Sequence, residues 1–146
     1  MRDGTAGQPF DGDFDGHFDG AKIAVLTRGR VLTLLRDDLA HIPYPDHWDL
    51  PGGAREGAED GETCALRELA EELGLRLDPA RIVHRRFYPG PRPGWFFAAL
   101  WPGLDLRLVR LGSEGQRWEA MPVGAFLSHP KAVPHFQERL AEYLSS

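Results

Sequence analysis

Apolar positions change their period along the chain, and each change marks an element. Ala21 to Thr27 and Val31 to Arg36 are two β-rich runs around Arg28-Gly29-Arg30, a pattern that predicts a hairpin. Asp37 to Pro45 lapses into loop, punctuated by Pro43 and Pro45. Trp48-Asp49-Leu50 predicts a short strand, stopped by Pro51-Gly52-Gly53. From Gly61 to Leu73 the period becomes helical, with Asp60 placed as N-cap and Gly74 as C-cap. Ile82 to Tyr88, Trp95 to Trp101 and Leu104 to Leu111 predict three more strands, the first two separated by the Pro/Gly-rich loop Pro89 to Gly94. Met121 to Leu127 predicts a short helix. Val133 to Leu144 carries Phe136, Leu140, Tyr143 and Leu144 at i, i+4, i+7 and i+8 and predicts an amphipathic one. Strands, a central helix, more strands and a last helix predict an α/β domain, a mixed sheet with helices on both faces.

Composition narrows the class. The chain has 146 residues, 42% apolar and 27% charged, which suits one globular domain with a core of its own. The longest apolar run, Trp95 to Trp101, is too short to span a bilayer, so no membrane partner is expected. The first twenty residues hold no signal-peptide stretch, and the single cysteine, Cys64, excludes an intrachain disulfide. A reducing cytoplasm is therefore expected. The net charge of −5 argues against a duplex nucleic-acid binder. That charge is uneven: residues 1–20 carry −4 of it, with Asp3, Asp11, Asp13, Asp15 and Asp19 against one Arg. This divides the chain into an acidic, Gly-rich arm over 1–20 and a nearly neutral domain over 21–146. The arm repeats Phe-Asp-Gly at Phe10, Phe14 and Phe18. Asp11, Asp13, Asp15 and Gly16 match the start of a calcium loop, but Lys22 stands where its closing Glu belongs. The favoured reading is a flexible arm whose phenylalanines pack on the domain or on a partner.

The candidate chemistry lies between Gly53 and Leu75. On a helical wheel Leu66, Leu69, Ala70 and Leu73 fall in one arc, and Glu68, Glu71 and Glu72 in another, almost opposite. Glu68 is a like charge to Glu71 at i+3 and to Glu72 at i+4, each pair costing roughly 0.2–0.5 kcal/mol. A merely solvated face would more often alternate in sign. Hard oxygen ligands on rigid backbone are what Mg²⁺ or Mn²⁺ requires. Glu59 lies upstream, and the Gly52-Gly53 turn can bring a carbonyl close with no side chain in the way. Cys64 reads as a small core residue rather than a redox group.

The segment resembles the signature box of the Nudix hydrolases: Gly, five residues, Glu, seven residues, then Arg-Glu-apolar-any-Glu-Glu-any-Gly-apolar. Gly53, Glu59, Arg67, Glu68, Leu69, Glu71, Glu72, Gly74 and Leu75 satisfy every specified position. The resemblance implies the family's α/β/α sandwich and hydrolysis of a diphosphate linkage in a nucleoside diphosphate joined to another group, with Mg²⁺ or Mn²⁺. It implies that Glu68, Glu71, Glu72 and the Gly53 carbonyl hold metal, that Arg67 orients a neighbouring carboxylate, and that Glu59 is a metal-shell or structural acid. Several branches add an acid after the box. Glu114, in Gly112-Ser113-Glu114-Gly115-Gln116-Arg117-Trp118, is the first candidate for catalysis and metal binding, and Glu119 the second. Glu-Gly-Gln followed by Trp is similar to the mutator branch, which implies a nucleoside triphosphate cleaved to monophosphate and pyrophosphate. Phe136 stands where that branch reads the purine with Asn. Pro91 lies near where ADP-ribose-cleaving members carry Pro, so ADP-ribose or a dinucleoside polyphosphate is the alternative. The loop 88–95 with Trp95, Phe96 and Trp118 is a candidate base wall. The alternative of another class is a non-catalytic nucleotide sensor, although such relatives usually lose box carboxylates. The expected partner is a small-molecule nucleotide, and the oligomeric state stays open between monomer and homodimer.

Overall fold

A computed structural model of the chain describes residues 17–146. β1 (Gly20–Thr27) is its central strand. Alternation along β1 sends Ala21, Ile23 and Val25 into one buried cluster and Ala24 into another, so both faces of the strand need cover. β2 (Arg30–Leu35) returns antiparallel beside it, through a turn in which Arg28 and Gly29 both take positive φ. β3 (Trp48–Asp49) and β4 (Gly52–Ala54) are short and pair with β2 and β1. α1 (Gly61–Leu73) follows, then β5 (Ile82–Tyr88) and β6 (Gly94–Leu100). β6 runs parallel to β1 from Gly20↔Gly94 to Leu26↔Leu100. β7 (Arg117–Pro122), α2 (Val123–Ser128) and α3 (Pro134–Leu144) complete the chain. The sheet is mixed, in the order β3-β2-β1-β6-β5, with β4 on β1 and β7 on β2. One cluster joins the sheet to α1 through Cys64, Ala65, Leu69 and Leu73; the other joins it to α2 and α3 through Phe126, Phe136 and Leu140. The expected α/β/α sandwich is the architecture found.

Caps set the bounds of α1 as the sequence implied. The Asp60 carboxylate accepts from the Thr63 N–H at 2.8 Å, and Gly74, at φ 69°, donates its N–H to the Ala70 carbonyl. Two expectations fail. Leu104 to Leu111 is not a strand. It buries Leu104 and Val109 beneath α1 and makes one 3-10 turn at Leu106–Leu108. Its Arg110 and Gly112 N–H groups bond to the Leu73 and Glu72 carbonyls at the end of α1, not to a neighbouring strand. The sheet position falls to β7, in register from Arg30↔Pro122 to Leu35↔Arg117. The short helix accordingly starts at Val123, because Met121 is still a ladder partner of Val31.

The domain begins earlier than residue 21. Phe18 is buried with the Arg55 guanidinium 4.4 Å over its ring. The Asp19 N–H donates to the Pro93 carbonyl and its carbonyl accepts from Arg55. Phe18 thus packs on the domain, as expected for the arm's phenylalanines. Phe10, Phe14 and the calcium-like stretch Asp11–Gly16 lie outside the described residues. Among the described residues no helix is long and apolar enough to cross a membrane.

This packing makes Phe18 the first of the described residues with a buried side chain. A chain starting at His17 should keep its urea midpoint, whereas Phe18→Ala within it should lose about 3 kcal/mol, as for a buried ring emptied to a methyl. Equal midpoints for the two would show that the Phe18 contact carries no stability.

Candidate active site

The site begins with a buried carboxylate that is not itself a metal candidate. Asp49 Oδ2 accepts from Lys22 Nζ and from Arg36 Nη1, both at 2.9 Å, and its Oδ1 accepts from the Leu50 N–H at 2.7 Å. Lys22 Nζ also donates to the Leu50 and Gly52 carbonyls at 3.1 Å. Both Asp49 oxygens and the Lys22 ammonium are hydrogen-bonded, which a buried charge requires. The network fixes the backbone that enters Gly52-Gly53. At Gly52, φ is 141°, and a Cβ would lie 2.1 Å from the Ala21 carbonyl oxygen. At Gly53 a Cβ would lie 2.7 Å from the Glu68 carboxyl group. Only glycine lets the backbone pass this close to α1.

That approach corrects the expected helix faces. The buried stripe of α1 is Gly61, Cys64, Ala65, Leu69 and Leu73, and Ala70 is exposed. At 100° per residue Glu68 and Glu72 fall inside this stripe rather than opposite it. The two glycines leave room for carboxylates where a core helix would carry aliphatic groups. Glu72 Oε1 accepts from the Gly52 N–H at 2.9 Å. Burial pushes the Glu72 carboxyl up to about 7, against the pull of Lys22 and of the Gly52 N–H. Burial also raises Glu68, against Arg67.

Arg67 is the hub of the acidic end. It grips Glu59 on both oxygens, at 2.8 and 3.1 Å, and reaches Glu68 at 3.2 Å, Glu71 at 3.1 Å and the Ala54 carbonyl at 2.9 Å. The Arg67–Glu71 pair is therefore one of several. The Arg67 hydrogen bonds hold Glu59 down at about 2. Glu59 also accepts from the Glu56 N–H, so both its oxygens are hydrogen-bonded. Cys64 is fully buried, its thiol raised to about 12 chiefly by burial, as befits a core residue. Its Sγ lies 3.5 Å from the Gly53 carbonyl oxygen.

Among the described residues, no three Asp, Glu, His or Cys side chains already converge on one metal-sized point. Arg67 draws Glu59, Glu68 and Glu71 to itself, and Glu72 turns to Gly52. The donor set still fits Mg²⁺ or Mn²⁺ in kind: hard oxygens, two of them on carboxylates that burial leaves under-neutralised.

Next to Gly53 opens a cleft of about 610 Å³. Its floor is β1 and β4, with Lys22 and Gly53; one wall is the loop from Pro89 to Trp95; the other is His135, Phe136 and Arg139 of α3. Of the expected base wall, Trp95 and the proline loop line the cleft, while Phe96 is sealed beneath α3 and Trp118 packs beneath α1. Phe136 lines it as well. Glu114 is exposed, two residues past the point where Gly112 docks on Glu72. Glu119 is exposed too, but Trp118 and Ala120 face the α1 layer, so strand alternation turns Glu119 away from α1. Lys22, His135 and Arg139 were not singled out from the sequence. Lys22 had a signal, as the one cation within the apolar run of β1.

Comparison with known proteins settles the family. The model described as "NUDIX domain" matches residues 17–144. The chain belongs to the Nudix family. An RNA pyrophosphohydrolase of Dinoroseobacter shibae is 34% identical over 95 residues, 64% of this chain and 53% of that protein. Another, from Rhodospirillum rubrum, is 27% identical over 135 residues, 79% of each. The chain thus spans about half the length of the first of these Nudix relatives. Among solved structures, a bifunctional NMN adenylyltransferase/ADP ribose pyrophosphatase of Francisella tularensis, complexed with AMP and a manganese ion, superposes with a TM-score of 0.72 at 18% identity, covering 88% of this chain and 42% of that one. A MutT protein of Methanosarcina mazei gives 0.62 at 21% identity, covering 87% and 94%. At those identities the likeness is one of Nudix fold.

The burial of Glu72 sets a pH dependence. In metal-free protein the folded state keeps a proton that the unfolded chain has already lost between about pH 4.5 and 7. Stability contributed by this group is present below that window and lost as pH rises through it. Glu72→Gln keeps an acceptor for Gly52 and removes the charge. In EDTA at pH 8 its Tm should exceed that of the wild type by about 2–6 °C, and the gap should close towards pH 5. A Tm difference independent of pH would contradict it.

Proposed function

We propose that this Nudix domain is a divalent-cation-dependent hydrolase that opens a diphosphate linkage in a nucleotide, with a nucleoside triphosphate cleaved to monophosphate and pyrophosphate. The observation that carries the proposal is the pair of inward-facing carboxylates, Glu68 and Glu72, resting on the Gly52-Gly53 backbone, whose second glycine also lines a nucleotide-sized cleft. Glu68, Glu71, Glu72 and the Gly53 carbonyl would hold Mg²⁺ or Mn²⁺, with Glu114 as the additional acid. Bound there, the cation would neutralise phosphate oxygens and lower the pKa of a water. Arg67 keeps Glu68 and Glu71 in place, with Glu59 as its own anchor. Phe136 lines the cleft and offers no hydrogen-bonding group to a base edge, so discrimination among bases should be weak.

The catalytic reading is favoured over a non-catalytic sensor because every box carboxylate is retained. ADP-ribose is the chief competing small substrate. A triphosphorylated RNA 5′ end is a second reading, favoured by the names of the two pyrophosphohydrolase relatives, and it presents the same kind of anhydride.

Steady-state kinetics test this. Glu72→Gln should lower turnover by about a hundredfold or more while the fold survives, and wild type should be inactive in EDTA. Near-normal turnover in that variant would remove the assignment. Glu114→Gln should lower kcat far more than it changes KM, and Glu119→Gln should be mild. If kcat/KM for ADP-ribose stands a hundredfold above every triphosphate, the substrate changes and the family chemistry remains.

A further inference from the structure

Two guanidinium groups, of Arg92 and Arg139, line the cleft with no oxygen acceptor among the described residues. Among the described residues, neither Arg92 nor Arg139 makes a hydrogen bond or an ion pair. Arg139, on the α3 wall, lies 4.1 Å over the Tyr88 ring and 5.4 Å from the centre of Phe136. Tyr88 is pinned in turn: its hydroxyl donates to Glu142, which also pairs with Arg86 at 2.9 Å. The nearby carboxylate is thus committed elsewhere, and the aromatic plates hold Arg139 where its N–H fork meets the cleft. Arg92 stands on the facing wall, exposed, in the proline loop. A half-buried guanidinium gives up hydration and gains no acceptor from the protein, which is costly unless a ligand supplies one. Its planar fork matches the oxygens of a phosphate.

A cationic subsite on α3 and the proline loop is not needed by the scissile anhydride, which the α1 carboxylates would serve. Lys22 is not available for that second task, because its ammonium is satisfied by Asp49 and two carbonyls. The Lys22 ammonium and the Arg139 guanidinium each stand 5.4 Å from the Phe136 centroid.

We propose that Arg92 and Arg139 form a clamp for a second phosphate group, one carried by the substrate away from the anhydride that is cut. The inference rests on the nucleotide reading of the cleft. The shared chemistry is a phosphate ester on the far side of the nucleoside sugar. It can come from the first internucleotide phosphodiester of a 5′-triphosphorylated RNA or from a mononucleotide phosphorylated at its 3′-oxygen.

The first test is binding, which needs no catalysis. In EDTA, calorimetric titration of the full chain should show adenosine 3′,5′-bisphosphate binding about tenfold or more tighter than AMP. Arg139→Gln should shrink that ratio to below about threefold, and Arg139→Lys, which keeps charge without the fork, should restore part of it. Arg92→Gln, on an exposed loop, should shrink it too and serves if Arg139→Gln fails to fold. Equal affinity for the two ligands in wild type, or a ratio that survives the folded variants, overturns the clamp.

The second test compares kcat/KM for ATP, ATP 3′-phosphate and a 5′-triphosphorylated dinucleotide with Mg²⁺. A preference for the dinucleotide assigns the clamp to RNA ends, and a preference for ATP 3′-phosphate assigns it to mononucleotides. ATP matching both overturns it. If none of the three is cut while the binding ratio holds, the hydrolase reading fails and the clamp stands.

Discussion

Much of this molecule depends on two residues that have no side chains. Gly52 and Gly53 pass so close to β1 and α1 that a methyl group at either would overlap backbone or carboxylate. Because that space is free, Glu68 and Glu72 can sit within the buried stripe of their helix. Because the Gly52 N–H is aimed at Glu72, one of those carboxylates meets a donor instead of hydrocarbon. The buried Lys22–Asp49–Arg36 network then has a clear purpose: it holds the strand end from which the glycine turn is delivered. Buried ion pairs seldom add net stability over an apolar substitute, but a fully bonded one specifies a single backbone path.

A second contact ties the far end of α1 to the loop after β6. The carbonyls of Glu72 and Leu73 would be orphans of the helix terminus; they accept from Gly112 and Arg110. The site helix is therefore fixed at both ends, by Asp60 at its start and by this loop at its finish. The loop that carries Glu114 is registered against Glu72 through backbone alone. A Cβ at Gly112 would lie 2.2 Å from the Glu71 carbonyl oxygen, so glycine is required here for contact rather than for turning.

The sequence was most informative where side chains act on neighbours a few residues away. Asp60 and Gly74 are local caps, and each stands where its spacing implied. The Gly53 to Leu75 pattern likewise pointed to the family before any fold was known. What escaped was set by contacts distant in sequence. Leu104 to Leu111 has the composition of a strand, but its donors were claimed by the end of α1 and its strand position by β7. The wheel misplaced Glu68 and Glu72 because it assumes that burial follows hydrophobicity, and here burial follows the space left by two glycines. Lys22, His135 and Arg139 come together only once β1 and α3 meet at one cleft, and their spacing along the chain carries no trace of that.

The energetics of α1 argue in the same direction as its geometry. Its last turn holds Glu71 and Glu72 and no basic residue, so two anions sit at the negative end of the helix dipole. Each such placement costs about 0.3–1 kcal/mol at an exposed site, and like-charge neighbours add a few tenths more. Burial then adds a desolvation cost at Glu72, visible in its raised pKa. Arg67 offsets part of this, but it is shared among Glu56, Glu59, Glu68 and Glu71 and gives Glu72 nothing directly. A sequence under selection for stability alone would place Lys or Arg in that turn. Several unfavourable choices on one short surface, each of which a single divalent cation would relieve, are what the proposed metal-dependent site would require.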